Sequence, residues 1–387
     1  MVTRGTLVLV SASLLSMALG SVHAFSVFLE PLEQSFHASR SLVSLTYSLA
    51  LVAITVAVLL GYRVFAKWSA SRMVWAVCVL AAAGALVAAY APSLAWVWLG
   101  YSGLFGIANG LGYGFGLQIS AQANPGRGGI SMGIVTAFYA LGAAVSPALF
   151  AGAVSVGGFR TAMLDLAASL IVIAPICARL MTIAGARFAA LHTEAGQPRV
   201  RLRQYILLWL GYGSGVAAGL MTIGHAAGIA KVLGFAGAPW VSPVLIAICN
   251  MAGSFAGGWM VDRLTPARPL FWLPLMSASA LVLLVFQNSI AVAFFCLGAV
   301  GFSYGATIAA YPAAVARMFG SSDSARIYGR VFTAWGSAGL FAPWLAGFLF
   351  DWTQGYAVAL SAAAALGIVS ALVTFALFRS GQSLRRS

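Results

Sequence analysis

The chain is a succession of apolar runs of about 20 residues, separated by short stretches where glycine, proline and charge gather. A run of that length crosses a ~30 Å hydrocarbon core as a helix. Membrane-spanning strands would show ~10-residue alternation of polar and apolar positions, and these runs do not alternate. The pattern predicts helices at 6–29, 41–65, 73–91, 94–118, 130–154, 161–181, 205–229, 240–261, 270–287, 290–315, 328–350 and 356–378. The expected fold class is therefore all-α and integral to the membrane, with twelve transmembrane helices. Arg4, the first apolar run and Val22-His23-Ala24 together resemble a secretory leader with a small-residue cleavage site. We read them as the first helix, because removing them leaves eleven spans and spoils the repeat described next.

The chain repeats at about half its length. The fifth run reads Tyr139-Ala-Leu-Gly142 through Pro147 to Gly152, and the eleventh reads Trp335-Gly-Ser-Ala-Gly339 through Pro343 to Gly347. Pro147 and Pro343 lie 196 positions apart, and Gly61 and Gly258 lie 197 apart. Two independent offsets that agree predict two pseudo-symmetric six-helix bundles. The expected division is 1–181, a cytoplasmic linker at 182–204, and 205–387. Paired six-helix halves point to a transporter that rocks around a site near the membrane midplane.

Composition excludes a water-soluble domain. Of 387 residues 61% are hydrophobic and 7% charged, against about 25% charged in a soluble chain. The 43 glycines suit helices whose backbones approach closely within a bilayer. Cys78, Cys177, Cys249 and Cys296 all fall inside apolar runs, so they read as small buried hydrophobes rather than as a disulfide framework or a zinc site. The net charge of +14 would suit a nucleic-acid partner if it were clustered on one domain. Instead, of 21 Lys and Arg residues only Arg40, Arg160 and Lys231 fall on one side of the predicted spans, and the other eighteen fall on the opposite side. That asymmetry predicts both termini in the cytoplasm and a bacterial-type inner membrane, with lipid rather than nucleic acid as the basic residues' contact.

Span eight ends in Gly258-Trp-Met-Val-Asp262-Arg263-Leu-Thr-Pro-Ala-Arg268. This segment resembles the Gly-x-x-x-Asp-Arg-x-x-x-Arg loop of the major facilitator superfamily. In that family the glycine permits close helix contact, and the aspartate caps a neighbouring helix while pairing with arginine. The first-half counterpart, Gly61-Tyr-Arg63-Val-Phe65-Ala-Lys67, keeps glycine and basic charge but has no aspartate, which implies a gate latched differently. Within the superfamily the chain resembles the oxalate/formate-antiporter and monocarboxylate-transporter branch over most of its length. The segments that carry this are Phe25 to Ser39, Gly106-Ile-Ala-Asn109-Gly-Leu-Gly-Tyr113-Gly, Gly301-Phe-Ser-Tyr304-Gly-Ala-Thr307 through Tyr311-Pro312, and Gly347 to Asp351. The resemblance implies a cation on span eight and, in the oxalate type, a lysine on span eleven. Here Ser254 stands at the span-eight position, and span eleven has no cation beyond Arg330 at its edge. On span one, His23 stands where monocarboxylate members carry a lysine. A carboxylate buried without a paired charge or convergent donors is strongly disfavoured, so the usual anion clamp is largely missing.

Helical spacing offers a polar pocket. Ser16, Gly20, His23, Ser26 and Glu30 share a face of span one, and Gly215, Ala218, Thr222 and His225 share a face of span seven. Histidine titrates near neutral pH, so His23 and His225 are the candidates for accepting a coupling proton. Asn109, Tyr113, Tyr139, Asn250, Ser254, Tyr304 and Thr307 add donors and rings, and Trp335 adds a broad ring able to stack on a flat solute. Gly258, Asp262, Arg263, Arg268, Pro147 and Pro343 are the gating and structural candidates. No catalytic triad spacing, phosphate loop or metal quartet is present, so no enzyme activity, cofactor or metal is expected. The expected function is secondary transport by symport of an uncharged or weakly acidic aromatic nutrient, such as the vitamin riboflavin, by a monomer. The alternatives are a proton-coupled monocarboxylate transporter or organic-anion antiporter, and then a membrane receptor that moves nothing.

Overall fold

The computed structural model describes residues 3–38, 40–189, 202–226, 229, 232–233, 241–287 and 289–382. Residues 190–201 of the expected 182–204 linker lie outside these. The described residues are helical nearly throughout. In the first half α1 is Arg4–Leu19, continued by a 3₁₀ segment Gly20–Phe28 and a short helix Leu29–Phe36. Then come α2 (Arg40–Phe65) and α3 (Ala70–Ala89). The next helix, α4, runs over 94–123 with a π-helical stretch at Trp98–Phe105. The helical run Gly128–Ile183 is broken at Gly157 and Gly158, where Gly158 has φ of 68°, a conformation that favours glycine. It therefore supplies two spans, α5 (128–156) and α6 (159–183). The second half holds α7 (Leu202–Ile223), α8 (Val241–Arg263), α9 (Ala267–Phe286), α10 (Ile290–Phe319), α11 (Ser321–Thr353) and α12 (Ala357–Gln382).

Among the described residues, nine helices are long and apolar enough by themselves to cross a membrane, counting Gly128–Ile183 once. Dividing that helix at its glycines, and adding α4 and α11, gives the twelve spans. On α4 the buried polar residues Asn109, Gln118 and Ser120 lower the hydropathy. In a bilayer such groups are stable only when they face protein.

The chain divides into two compact units, Met1–Leu191 and His192–Ser387. Each repeats the same packing. In the first, α1 packs on α5, α2 on α4 and α3 on α6. In the second, α7 packs on α11, α8 on α10 and α9 on α12. Even the bonds tying first helix to last correspond. Ser11 Oγ donates to Cys177 O across α1 and α6 (2.9 Å), and Ser370 Oγ donates to Gly211 O across α12 and α7 (2.6 Å).

Close backbone approach does the packing where lipid-like side chains would gain little. A Cβ on Gly142 would stand 1.9 Å from Met17 O, and one on Gly20 would stand 2.0 Å from Tyr139 O. The crossing of α1 and α5 therefore requires glycine on both helices. The crossing of α8 and α10 is as tight, with Gly253, Gly257 and Gly305 each placing a Cβ within 2.1 Å of a carbonyl oxygen across the interface.

One predicted element differs. A continuous helix was expected over 6–29, but α-helical bonding ends at Leu19 and the chain narrows to a 3₁₀ helix. The change falls at Gly20, pressed against Tyr139, and Asn109 Nδ2 donates to Leu19 O at the same point (2.6 Å). With three residues per turn, Gly20 and His23 remain in line on the face toward α5.

Candidate functional site

The first-half candidates converge on this transition. His23 Nδ1 shares a 2.6 Å hydrogen bond with the Tyr47 hydroxyl on α2. Its ring meets Tyr139 of α5 edge-on, with centroids 5.4 Å apart. Tyr139 donates its hydroxyl proton to Asn109 Oδ1 (2.9 Å), and the Asn109 amide in turn donates to Leu19 O. The carbonyl oxygen at Leu19 can only accept, so the direction of this chain is fixed from Tyr139 through Asn109 to α1. Tyr113 lies against Tyr139 (4.9 Å) and shares a 3.3 Å bond with Thr136, which donates to Met132 O one turn back. Asn109, Tyr113 and Thr136 are buried, whereas His23 and Tyr139 keep part of their surface. Nδ1 is thus the His23 nitrogen that Tyr47 engages.

The second half gathers rings rather than amides. Trp335 Nε1 donates to the Tyr304 hydroxyl (3.1 Å), and its indole stacks on Phe332 at 4.9 Å and 14°. Tyr304 lies over Gly219 of α7, where a Cβ would stand 2.5 Å from its ring. Next to this, Phe332 contacts Tyr328 and Tyr212, and Tyr212 packs on Tyr311 at 4.3 Å. Trp335 is 4% exposed, so Phe332 and the surrounding helices cover its ring.

Other candidates lie elsewhere. Ser254 Oγ donates to Asn250 O one turn back (2.9 Å) and approaches Gly305 O (3.3 Å), which places both residues in the α8–α10 crossing. Thr307 is buried on α10. His225 follows the end of α7. Its Nε2 bonds Pro343 O at 3.0 Å, and because a carbonyl only accepts, that nitrogen carries the hydrogen. In the neutral ring Nδ1 then accepts from the Tyr356 hydroxyl at 3.4 Å. Both nitrogens are engaged within the second half, and Pro343 is the residue that receives one of them. Pro147 lies half-buried in α5.

At the end of α8, Gly258 is buried, Asp262 is partly covered, and Arg263 and Arg268 are exposed. Arg317, at the end of α10, donates from Nη1 to Val261 O and to Leu264 O. A cation on the last carbonyls of a helix complements both their unpaired acceptors and the helix dipole. Arg317 is thus a structural residue that the motif reading missed. So are Tyr47, a single tyrosine in an apolar run, and Phe332. The spacing Tyr328, Phe332, Trp335 is helical and could have shown that stack.

The sequence profile of the Major Facilitator Superfamily matches residues 9–298. The chain belongs to that superfamily and is a multi-pass secondary transporter of small solutes. It is 24% identical over 341 residues to an uncharacterised MFS-type transporter, YhjX, of Escherichia coli (strain K12), covering 85% of this chain and 84% of that one. It is also 24% identical over 303 residues to the oxalate:formate antiporter of Oxalobacter formigenes, covering 73% and 70%. The branch resemblance carried by the Phe25 and Gly106 segments agrees with that relative. Among solved structures, the proton:xylose symporter XylE superposes with a TM-score of 0.75 at 12% identity, covering 96% of this chain and 95% of that one.

Proposed function

We propose that the protein carries an uncharged or weakly acidic small organic solute across a bacterial inner membrane by alternating access, with both termini cytoplasmic and residues 182–204 joining its halves. The observation that carries this is the chemistry of the two clusters. Among the described residues, the first-half cluster offers the imidazole, phenol and amide groups of His23, Tyr47, Tyr139 and Asn109, the second-half cluster offers the phenol and indole of Tyr304 and Trp335, and no lysine or arginine joins either. Neutral donors recognise hydroxyl, carbonyl or protonated acid groups without the unpaired charge that a buried carboxylate would impose. His23 presents Nε2 to the solute, and Tyr47 holds the ring by Nδ1. A flat aromatic nutrient of the riboflavin kind fits the donors but would need Trp335 to uncover its stacked face.

A second reading has one observation in its favour, the relative named for oxalate and formate. In it a monocarboxylate enters with a proton through His23, so that the pair is neutral in transit. Competition uptake in proteoliposomes separates the two. Under the neutral-solute reading, excess lactate or formate leaves uptake unchanged across pH 5–8. Proton-driven lactate or formate uptake that His23→Ala abolishes overturns it. A thermal-shift screen against vitamins and carboxylates supplies the ligand, because a ligand that binds only folded protein raises Tm.

A further inference from the structure

The first-half counterpart of the Gly258–Asp262 segment places Phe65 where the second half has its aspartate, four residues after Gly61. Phe65 is 2% exposed at the end of α2. Its ring folds back along its own helix, so that a Cβ on Gly61 would lie 2.6 Å from it. It contacts Phe115 of α4 (5.6 Å), and a third ring completes the cluster. That ring is Phe188, 5.4 Å from Phe65 and stacked at 28° on Phe115. Phe188 belongs to the chain leaving α6, which the sequence assigns to the linker.

The turn that delivers it is well defined. Gly185 has φ of 59°, and Ala186 N–H donates to Met181 O while Gly185 N–H donates to Thr182 O (3.0 Å each). This 6→1 and 5→2 pair satisfies the last carbonyls of α6 and reverses the chain through a left-handed residue. Four residues later Ala189 N–H donates to Gln122 Oε1 at the end of α4 (3.0 Å). Both ends of the returning segment are thus fastened to the first half, one by backbone and one by an amide, with Phe188 seated between them.

We propose that residues 184–189 form an aromatic strap, in which Phe188 docks on Phe65 and Phe115 and closes the basic end of the first half where the second half uses a charged segment. Residues 184–189 then belong to the first half, and Phe65 is the receptor for the strap rather than a lost motif position. An aromatic stack of this kind is insensitive to salt, unlike an ion-paired latch. The proposal does not depend on the identity of the solute.

Trypsin tests it on the full-length protein in detergent. Cleavage after the exposed Arg187 requires the segment around Phe188 to leave its seat, whereas cleavage after Arg199 in the same chain gives an internal reference. Phe65→Ala and Gln122→Ala leave the cleaved bond unchanged in sequence. Each is expected to raise the ratio of Arg187 to Arg199 cleavage, by tenfold or more for Phe65→Ala and severalfold for Gln122→Ala. Phe188→Tyr keeps a ring in the seat and is expected to keep the wild-type ratio. A ratio within twofold of wild type in both Phe65→Ala and Gln122→Ala, with both variants folded by size-exclusion profile, overturns the strap.

Discussion

His23 and His225 stand just beyond the first helices of the two halves, α1 and α7, yet their surroundings differ in kind. His23 has one nitrogen held by Tyr47 and the other available, in a 3₁₀ segment bent against α5. His225 has both nitrogens used, on Pro343 O and the Tyr356 hydroxyl. They are also out of register, being 202 residues apart where the prolines of α5 and α11 repeat at 196. The scaffold pairs of helices recur from half to half while the chemistry laid on them has diverged. The candidate cluster of the first half is wired by directional hydrogen bonds and that of the second by stacked rings.

The sharpest way to break this comparison is at the crossings that hold the clusters. Gly142→Ala drives a methyl to 1.9 Å from Met17 O, a backbone atom that cannot rotate away. We expect a loss of about 3 kcal/mol or more, read as disappearance of the monodisperse peak or a collapse of Tm. On α7, Gly213→Ala meets only Ala334 Cβ at 3.3 Å, so the second half should stay within about 1 kcal/mol of wild type. Equal losses in the two variants would show that the first crossing is no tighter than the second.

Much of this was legible beforehand, for a physical reason. Bilayer thickness fixes the length of an apolar run, and duplicated prolines and glycines fix the repeat, so the spans and the two bundles follow from Pro147, Pro343, Gly61 and Gly258. Asn109, Tyr113, Tyr139 and His23 were also accessible, since an amide or imidazole inside an apolar helix needs a partner. What the sequence withheld was the partner. Tyr47 and Phe332 acquire roles only when a second helix arrives, and no periodicity on α2 marks Tyr47 out. The 3₁₀ narrowing after Leu19 was hidden for the same reason, because its cause is a carbonyl on α5. Ser254 illustrates the converse: the resemblance singled out its position, and only the structure shows that it lies in a tight glycine crossing.

Next in size is the loss of a directional link. Asn109→Leu removes the acceptor of the Tyr139 hydroxyl and the donor to Leu19 O, leaving two polar groups inside the bundle. Burying such groups unmade costs about 2–4 kcal/mol in total. Ser254→Ala loses a hydroxyl bonded to the carbonyl one turn back, where the helix's own bonding remains, and should cost under about 1 kcal/mol. Thermal melts in one detergent compare the two. A larger effect at Ser254 would make the second half the more polar scaffold and reverse the contrast.

The finest distinction lies in the tyrosine that each histidine keeps. Tyr47→Phe removes a 2.6 Å bond and leaves His23 Nδ1 without its partner, so we expect about 1 kcal/mol lost in stability and a larger loss in transport. The two should separate, because a ring free to turn no longer presents Nε2 in one direction even when the fold survives. Tyr356→Phe removes a 3.4 Å bond at the long edge of hydrogen bonding and retains packing on Phe350 at 4.6 Å. Its expected loss is under about 0.5 kcal/mol, with transport unchanged, because Pro343 O still orients His225. Transport lost in Tyr356→Phe but kept in Tyr47→Phe would overturn the proposed role of His23 and favour His225.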